Sequence, residues 1–282
     1  MIRFDGQVAL VTGAGRGLGR AYALLLAARG AKVMVHDAGV DRNGTGSDQN
    51  VAATVVEEIR KSGGEAEAAF DDLAVRGSAA SVVDEAERRF RRLDVLIHSA
   101  GIAVHGTMSE MDDATFDRIL AINGRAAIEL LRAAFPVMAR QRYGRIVLTV
   151  SGHGLYPGDE ADLVAYGVSK AMQFGLMNSV AHEFDTAGIK VNAISPVAAT
   201  RMLTTPVSAG SLRPEDVAAG VIYLASRDCP STGLVLRAAA GKFSLGRYAV
   251  TAGVDLGAAT SPEAVAAEWP AITAGPWAEP DR

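Results

Sequence analysis

Seven short runs of β-branched and apolar residues alternate with longer stretches of helical periodicity along most of this chain, and few architectures accept that order. The strand-like runs are Val8 to Thr12, Lys32 to Asp37, Ala66 to Phe70, Asp94 to Ser99, Arg145 to Val150, Lys190 to Ser195 and Leu234 to Ala238. Between them the spacing predicts helices at Leu18 to Arg29, Val51 to Ser62, Ser78 to Arg91, Asp112 to Arg140, Leu163 to Thr186 and Pro214 to Ser226. A helix between consecutive strands carries the chain back to the starting edge, so neighbouring strands run parallel and helices cover both faces. The predicted class is α/β: a doubly wound parallel sheet of about seven strands in one domain, residues 1–252, followed by a C-terminal tail, 253–282. A chain of 282 residues suits one large core, burying roughly 75% of its unfolded surface.

In such a sheet the strands' carboxyl ends gather along one edge. That edge should collect Thr12 to Gly19, Asp37, Asp71-Asp72, Ser99 to Gly101, Ser151 and Pro196.

The first of these segments, Thr12-Gly13-Ala14-Gly15-Arg16-Gly17-Leu18-Gly19, joins a strand to a helix. A helix N-terminus offers unpaired N–H groups and a positive dipole end, which suits the pyrophosphate of a dinucleotide, and glycines keep side chains out of its way. Asp37 ends the second strand 18 residues after Gly19 (37 − 19). A carboxylate there accepts hydrogen bonds from ribose hydroxyls and repels a 2′-phosphate, which favours NAD over NADP. Arg16 in the turn works the other way if it meets a 2′-phosphate. Asp72 offers a carboxylate to the adenine edge with Leu73 packed on the ring; both aspartates at 71 and 72 also suit a capping role in a loop.

Tyr166 and Lys170 are four residues apart on a predicted helix, hence on one face and separated by about 6 Å of rise. A phenol of pKa near 10 becomes a usable base when positive charge lies close, so an ammonium beside it and a nicotinamide ring together should lower its pKa. Tyr166 is then the acid/base that moves the alcohol proton while hydride passes between carbon and nicotinamide. Ser151, just past the fifth strand, would hydrogen-bond the substrate oxygen. Asn123, in mid-helix, could open the backbone ladder and bind a water leading protons toward Lys170. His153 could line the pocket, whereas His36, His98, His105 and His182 read as structural or surface residues.

The net charge of −4, with a pI near 5.8, provides no basic field for nucleic acid or an anionic membrane. The lone cysteine, Cys229, cannot close an intrachain disulfide, and no Cys/His spacing fits zinc, so no metal is expected. The absence of a charged-then-apolar leader and of an apolar run of spanning length predicts a soluble, cytoplasmic protein. No G-x-S-x-G elbow supports a Ser/His hydrolase.

The combination of Thr12-Gly13-x-x-x-Gly17-x-Gly19, Asn123, Ser151, Tyr166-x-x-x-Lys170 and the Pro196 to Thr200 stretch resembles the classical short-chain dehydrogenase/reductases, over approximately Arg3 to Ala240. Within that family, Arg3-Phe4-Asp5-Gly6, the run Gly19 to Leu24, the glycine-rich loop after Asp37, Val55 to Arg60 and Tyr143 to Ile146 are similar to the (3R)-hydroxyacyl-CoA dehydrogenase unit of peroxisomal multifunctional enzyme type 2. The resemblance implies a Rossmann fold, with Asn123, Ser151, Tyr166 and Lys170 as the catalytic set. It implies NAD held by Gly13, Arg16, Gly17, Leu18, Gly19, Asp37, Asp72, Leu73, Ser99, Ala100, Gly101, Tyr166, Lys170, Pro196 and Thr200, and self-association to a homodimer or homotetramer through the helices bearing Asn123 and Tyr166.

Three departures touch substrate orientation. His98-Ser99-Ala100-Gly101 stands for the family's Asn-Asn-Ala-Gly, Pro196-Val197 for Pro-Gly, and the acidic insert Gly158 to Asp162 widens the gap between Ser151 and Tyr166. The segment Val197 to Arg213, which closes over substrate in the family, is short, and the tail with Trp269 and Trp277 is expected to cover a cleft or a neighbouring subunit, or else to fray. The expected activity is NAD-dependent oxidation of a secondary alcohol or the reverse, on a 3-hydroxyacyl thioester or a cyclic alcohol. The competing readings are an NADP-dependent ketone reductase, a catalytically silent dinucleotide-binding sensor or scaffold, and a sugar-nucleotide epimerase.

Overall fold

Strand β1 (Val8–Thr12) is buried at every position, and its side chains divide between two cores: Val8 and Leu10 join one, Ala9 and Val11 the other. This two-residue division is what a strand covered on both faces requires. The structure, a computed structural model, describes residues 1–157, 162–203, 208 and 210–278. After β1 come α1 (Gly17–Ala28), β2 (Lys32–His36), α2 (Asn50–Lys61), β3 (Glu65–Ala69), α3 (Ser78–Phe90) and β4 (Val95–His98). Then follow α4 (Asp113–Ile119), α5 (Ala126–Gln141), β5 (Gly144–Thr149), α6 (Val164–Thr186), β6 (Ile189–Val197), α7 (Pro214–Leu224), β7 (Val235–Ala239) and β8 (Lys242–Gly246).

The helices α1, α2 and α7 bring Tyr22, Leu26, Val55, Ile59, Val217 and Val221 to one face. On the other, α3, α5 and α6 supply Val82, Val83, Leu130, Leu131, Met177 and Phe184. Each fully buried leucine or isoleucine in these layers contributes about 2 kcal/mol of burial free energy, so the sheet is held from both sides rather than by strand pairing alone.

The strand order is β3-β2-β1-β4-β5-β6-β7-β8, and the winding reverses between β1 and β4. Parallel registers pair Thr12 with both His36 and His98, and Thr149 with Ile194, which levels the carboxyl ends of the central strands along one edge. Outside such an edge, at the reversal, is where this architecture leaves a crevice.

Three features depart from the sequence expectation. The helix expected over Asp112 to Arg140 is two helices joined by a π-helical stretch, Leu120–Arg125, with Asn123 inside it. The seven expected strands are joined by β8, which follows β7 after only two residues, Ala240 (φ 48°) and Gly241 (φ 74°). So short a link with both φ values positive is a hairpin turn, not a crossover. The chain divides into two compact units, Met1–Ser244 and Leu245–Arg282. The second contains β9 (Val250–Thr251) paired antiparallel with β10 (Trp277–Ala278), and α8 (Pro262–Thr273). The signal for α8 was legible: Ser261 accepts a hydrogen bond from the Ala264 amide as N-cap, and Pro262 occupies the first turn. Trp269 and Trp277 are both exposed.

Among the described residues no helix is long and apolar enough to cross a membrane, and no cluster of three His, Cys, Asp or Glu could hold a metal.

Candidate active site

A cleft of about 1100 Å³ lies at the carboxyl edge of the sheet, lined by the turn after β1, the ends of β2, β4, β5 and β6, the start of α6 and the β7–β8 hairpin. Every residue expected to hold the cofactor lines it: Gly13, Arg16, Gly17, Leu18, Gly19, Asp37, Asp72, Leu73, Ser99, Ala100, Gly101, Tyr166, Lys170, Pro196 and Thr200. So do Ser151, Tyr166 and Lys170 of the catalytic set; Asn123 does not.

The turn after β1 is shaped by backbone contact. Gly13 has φ +66°, and a Cβ there would stand 2.6 Å from Ala100 Cα, so no other residue fits without moving the strand beside it. Gly19 packs against the Gly13 carbonyl in the same way. The first turn of α1 carries no side-chain cap and no acidic residue, which leaves its N–H donors and positive dipole end turned to the cleft. A Cβ built on Gly17 would lie 3.1 Å from the Thr200 methyl, so the segment after β6 stands directly across the turn. These features fit a dinucleotide pyrophosphate.

At the end of β2, Asp37 accepts the Gly15 amide at 2.9 Å through Oδ2 and the Gly39 amide at 2.8 Å through Oδ1. The carboxylate is thereby fixed toward the place a ribose would occupy. Two guanidinium groups stand beside it: Arg16 Nη1 and Arg201 Nη1 both donate to the Val40 carbonyl, at 3.2 and 2.9 Å. Burial, and then the neighbouring Arg16, push the Arg201 pKa down, with Asp37 and Asp41 pulling it back. Arg201 was not singled out from the sequence, because nothing local ties position 201 to position 40.

Asp72 Oδ1 accepts the Ala74 amide at 2.9 Å, making a turn, while Oδ2 accepts from Arg118 Nη2 at 3.1 Å; Leu73 beside it is buried. Arg118 Nε also donates to the Gly44 carbonyl at 2.7 Å and so ties the long loop after β2 to α4.

Tyr166 and Lys170 share a face of α6, with Lys170 Nζ 5.6 Å from the phenol ring centre. Nζ donates to the Thr149 carbonyl at 2.8 Å, and burial pushes the Lys170 pKa down to about 7. Burial also pushes the Tyr166 phenol up, and its hydrogen bond with Ser151 pulls it back down. The protein's own groups therefore do not give the lowered Tyr166 pKa expected from the sequence: both members of the pair are desolvated, and desolvation penalises phenolate and ammonium alike.

Asn123, in the π-helical opening, has partners that the sequence did not show. Its Oδ1 accepts the Ile102 amide at 2.9 Å, and its Nδ2 donates to the Ile102 carbonyl and to Ser169 Oγ, both at 2.9 Å. Ser169 Oγ in turn donates to the Tyr166 carbonyl at 2.7 Å. The Asn123 carbonyl, offered by the π-helical winding, receives Gln173 Nε2 at 2.7 Å. Asn123 is thus a buried clamp between the loop after β4 and α6 at Tyr166.

Sequence reasoning passed over the network behind this clamp. Gln173 Oε1 accepts the Thr149 amide at 3.1 Å, Thr149 Oγ1 donates to the His98 carbonyl at 2.8 Å, and His98 Nδ1 meets Thr12 Oγ1 at 2.9 Å. The Ala100 amide donates to the same Thr12 oxygen. His98 is fully buried; that burial and the nearby Lys170 push its pKa down to about 3, so it is neutral, and it is structural as expected. The helical spacing of 166, 170 and 173 was the available signal for Gln173. His153 lines the cleft as expected, its ring edge-on to Tyr166 at 6.0 Å. His105 also lines it, where Nδ1 meets Asp162 Oδ2 at 2.9 Å. Residues 158–161 of the acidic insert, and residues 204–207 and 209 of the segment after β6, lie outside the described residues.

Comparison with known proteins agrees with this geometry. The family described as short chain dehydrogenase matches residues 7–210. The chain is 38% identical over 243 residues to peroxisomal multifunctional enzyme type 2 of Drosophila melanogaster, a match that covers 85% of this chain and 40% of that protein. It is 37% identical over 270 residues to a short-chain type dehydrogenase/reductase of Mycobacterium tuberculosis, covering 95% of this chain and 94% of the other. Among solved structures, that of a short chain dehydrogenase from Mycobacterium avium superposes with a TM-score of 0.84 at 33% identity, covering 98% of each chain.

Proposed function

Because the chain belongs to the short-chain dehydrogenase/reductase family, enzymes that act on CH–OH groups with a nicotinamide dinucleotide, we propose that it is an NAD-dependent dehydrogenase of a secondary alcohol, with a 3-hydroxyacyl thioester or a cyclic alcohol as substrate. The observation that carries the reading is the Ser151, Tyr166 and Lys170 group at one end of a cleft whose other end is an uncapped helix start and a fixed Asp37.

The turn Gly13 to Gly19 would hold the pyrophosphate through main-chain donors, Asp37 the adenosine ribose, and Asp72 with Leu73 the adenine. Bound nicotinamide supplies the hydride acceptor. Tyr166 takes the alcohol proton at its phenolic oxygen, and Ser151, already hydrogen-bonded to that phenol, fixes the substrate oxygen between the two hydroxyls. Lys170, anchored on Thr149, presents its ammonium beneath the phenol ring. Asn123, through Ser169, keeps Tyr166 in place. The protein's own groups leave the phenol pKa high, and the positive charge that a bound nicotinamide ring would supply is what would bring it down.

One observation favours a second reading. Arg16 and Arg201 converge beside Asp37, and a 2′-phosphate could engage both, as an NADP-dependent reductase would require. The carboxylate between them repels that phosphate, and NAD is retained. Association into a dimer or tetramer through the helices bearing Asn123 and Tyr166, and a cytoplasmic location, belong to the same proposal. The test is a screen of secondary alcohols with NAD and with NADP, following the absorbance of reduced nicotinamide. The expected result is reduction of NAD at a kcat/KM about tenfold or more above NADP. A preference for NADP refutes the cofactor assignment, and NAD binding without turnover of any alcohol favours the scaffold.

A further inference from the structure

We infer that the β7–β8 end of the cleft is an anion subsite, in which Arg237, with Tyr156 and Lys242, recognises a carboxylate or phosphate carried by the substrate. The inference rests on the dehydrogenase reading above and adds to it the chemical class of group that the substrate presents.

Arg237 is paired in register with Ser195, one residue before Pro196, so β7 delivers its side chain to the same carboxyl edge as the cofactor site. Its guanidinium lies over the Tyr156 ring, 5.5 Å from the centre, and Nη2 donates to the Tyr156 hydroxyl at 3.2 Å. That hydroxyl is pressed on the main chain next to Ser151: a Cβ built on Gly152 would stand 2.7 Å from it. The cation is therefore one side chain away from the serine that holds the reacting oxygen. From the other arm of the hairpin, Lys242 and Ser244, two apart and so on one face of β8, line the same cleft.

Among the described residues no carboxylate pairs with Arg237 or Lys242, although most other arginines near the cleft have an acidic or main-chain partner: Arg118 meets Asp72, and Arg16 and Arg201 meet Val40. The remaining lining here is largely apolar, with Leu163, Val197, Met202 and Leu203. An uncharged, apolar alcohol entering this end would take water from a guanidinium and give nothing back, whereas an anion replaces that water with charge-assisted hydrogen bonds. The Tyr156 hydroxyl, accepting from Arg237, keeps its own proton free to donate to the same anion. The protein's net charge of −4 means that no long-range field draws an anion in, so recognition is local to these residues.

The test uses the full chain with saturating NAD and two matched pairs of substrates. One pair is 3-hydroxybutyrate and its amide, which differ by a carboxylate; the other is the coenzyme A and N-acetylcysteamine thioesters of 3-hydroxybutyrate, which differ by the phosphates of the carrier. The expected result is that the anionic member of one pair has a kcat/KM at least tenfold above its neutral partner, expressed mainly in KM. Which pair discriminates tells whether the anion is on the substrate itself or on its carrier. Arg237→Gln, which keeps a donor for Tyr156 but no charge, should reduce that ratio about tenfold to a hundredfold, and Arg237→Lys should retain part of it. Equal kcat/KM within both pairs, or an unchanged ratio in Arg237→Gln, overturns the subsite while turnover of a neutral member leaves the dehydrogenase reading standing. Calorimetric titration of the protein loaded with NADH, which cannot take hydride from the alcohol, with 3-hydroxybutyrate and with coenzyme A provides a readout without turnover. A dissociation constant raised about tenfold in Arg237→Gln for either supports the subsite, and no binding or unchanged binding of both refutes it.

Discussion

The two ends of the cleft are built from different materials. Around β1 and β2 the surface is main chain: an uncapped helix start, glycines in contact with backbone, and an aspartate fixed by two amides. Around β5 to β8 it is side chain: Ser151 on Tyr166, Lys170 on Thr149, Arg237 on Tyr156. A main-chain cradle recognises what all dinucleotides share and tolerates little change, because its donors belong to the fold. A side-chain surface can be altered one residue at a time, which is where members of one fold come to differ in substrate.

If the division holds, substitutions on the two sides should separate in their kinetic signatures. The largest effect should come from Tyr166→Phe, which removes the proton carrier and should lower kcat about 10²-fold or more while the NAD dissociation constant moves less than about threefold. Retained turnover would break the assignment of the acid/base.

Lys170 should leave its mark on stability. Its folded pKa of about 7 lies below the unfolded value of 10.5. Between those values the unfolded chain binds a proton that the folded one does not, so this residue makes stability rise with pH, by up to about 1.4 kcal/mol per unit, and below pH 7 its full cost is present. Lys170→Met should abolish that rise in urea unfolding measured from pH 7 to 9. Parallel curves for the two proteins would show that the ammonium is not desolvated in the fold.

The smallest of the three effects is expected on the main-chain side. Asp37→Ser should shift the ratio of NAD to NADP dissociation constants about tenfold toward NADP, as Arg16 and Arg201 lose their competing carboxylate. An unchanged ratio would mean that Asp37 faces its two amides and nothing else.

How much of this was legible in the sequence follows from how local each cause is. The glycine turn, Asp37, Ser151 and the Tyr166 to Lys170 spacing are short-range patterns, and each lies in the cleft as expected. Asn123 was legible as an opening in the helix, but its partners at Ile102, Ser169 and Gln173 come from other segments, and they make it a clamp. The burial that pushes the Tyr166 phenol up was not legible, because a spacing of four reports proximity and says nothing of desolvation. Arg201, Arg118 and Arg237 could not be singled out, since each acquires its meaning from a residue 46 to 161 positions away. The extra strand β8 was hidden because Ala240-Gly241 lacks the usual turn composition at its first position.

By itself the sequence determined the alternation of elements, the parallel sheet and the chemical groups at its carboxyl edge, because periodicity and glycine placement act over a few residues. Only the tertiary structure decided which of those groups are dry, which are clamped and which cations stay without a counter-ion. Those properties are sums over neighbours that the chain brings together from far apart, and solvation, unlike periodicity, has no local signature.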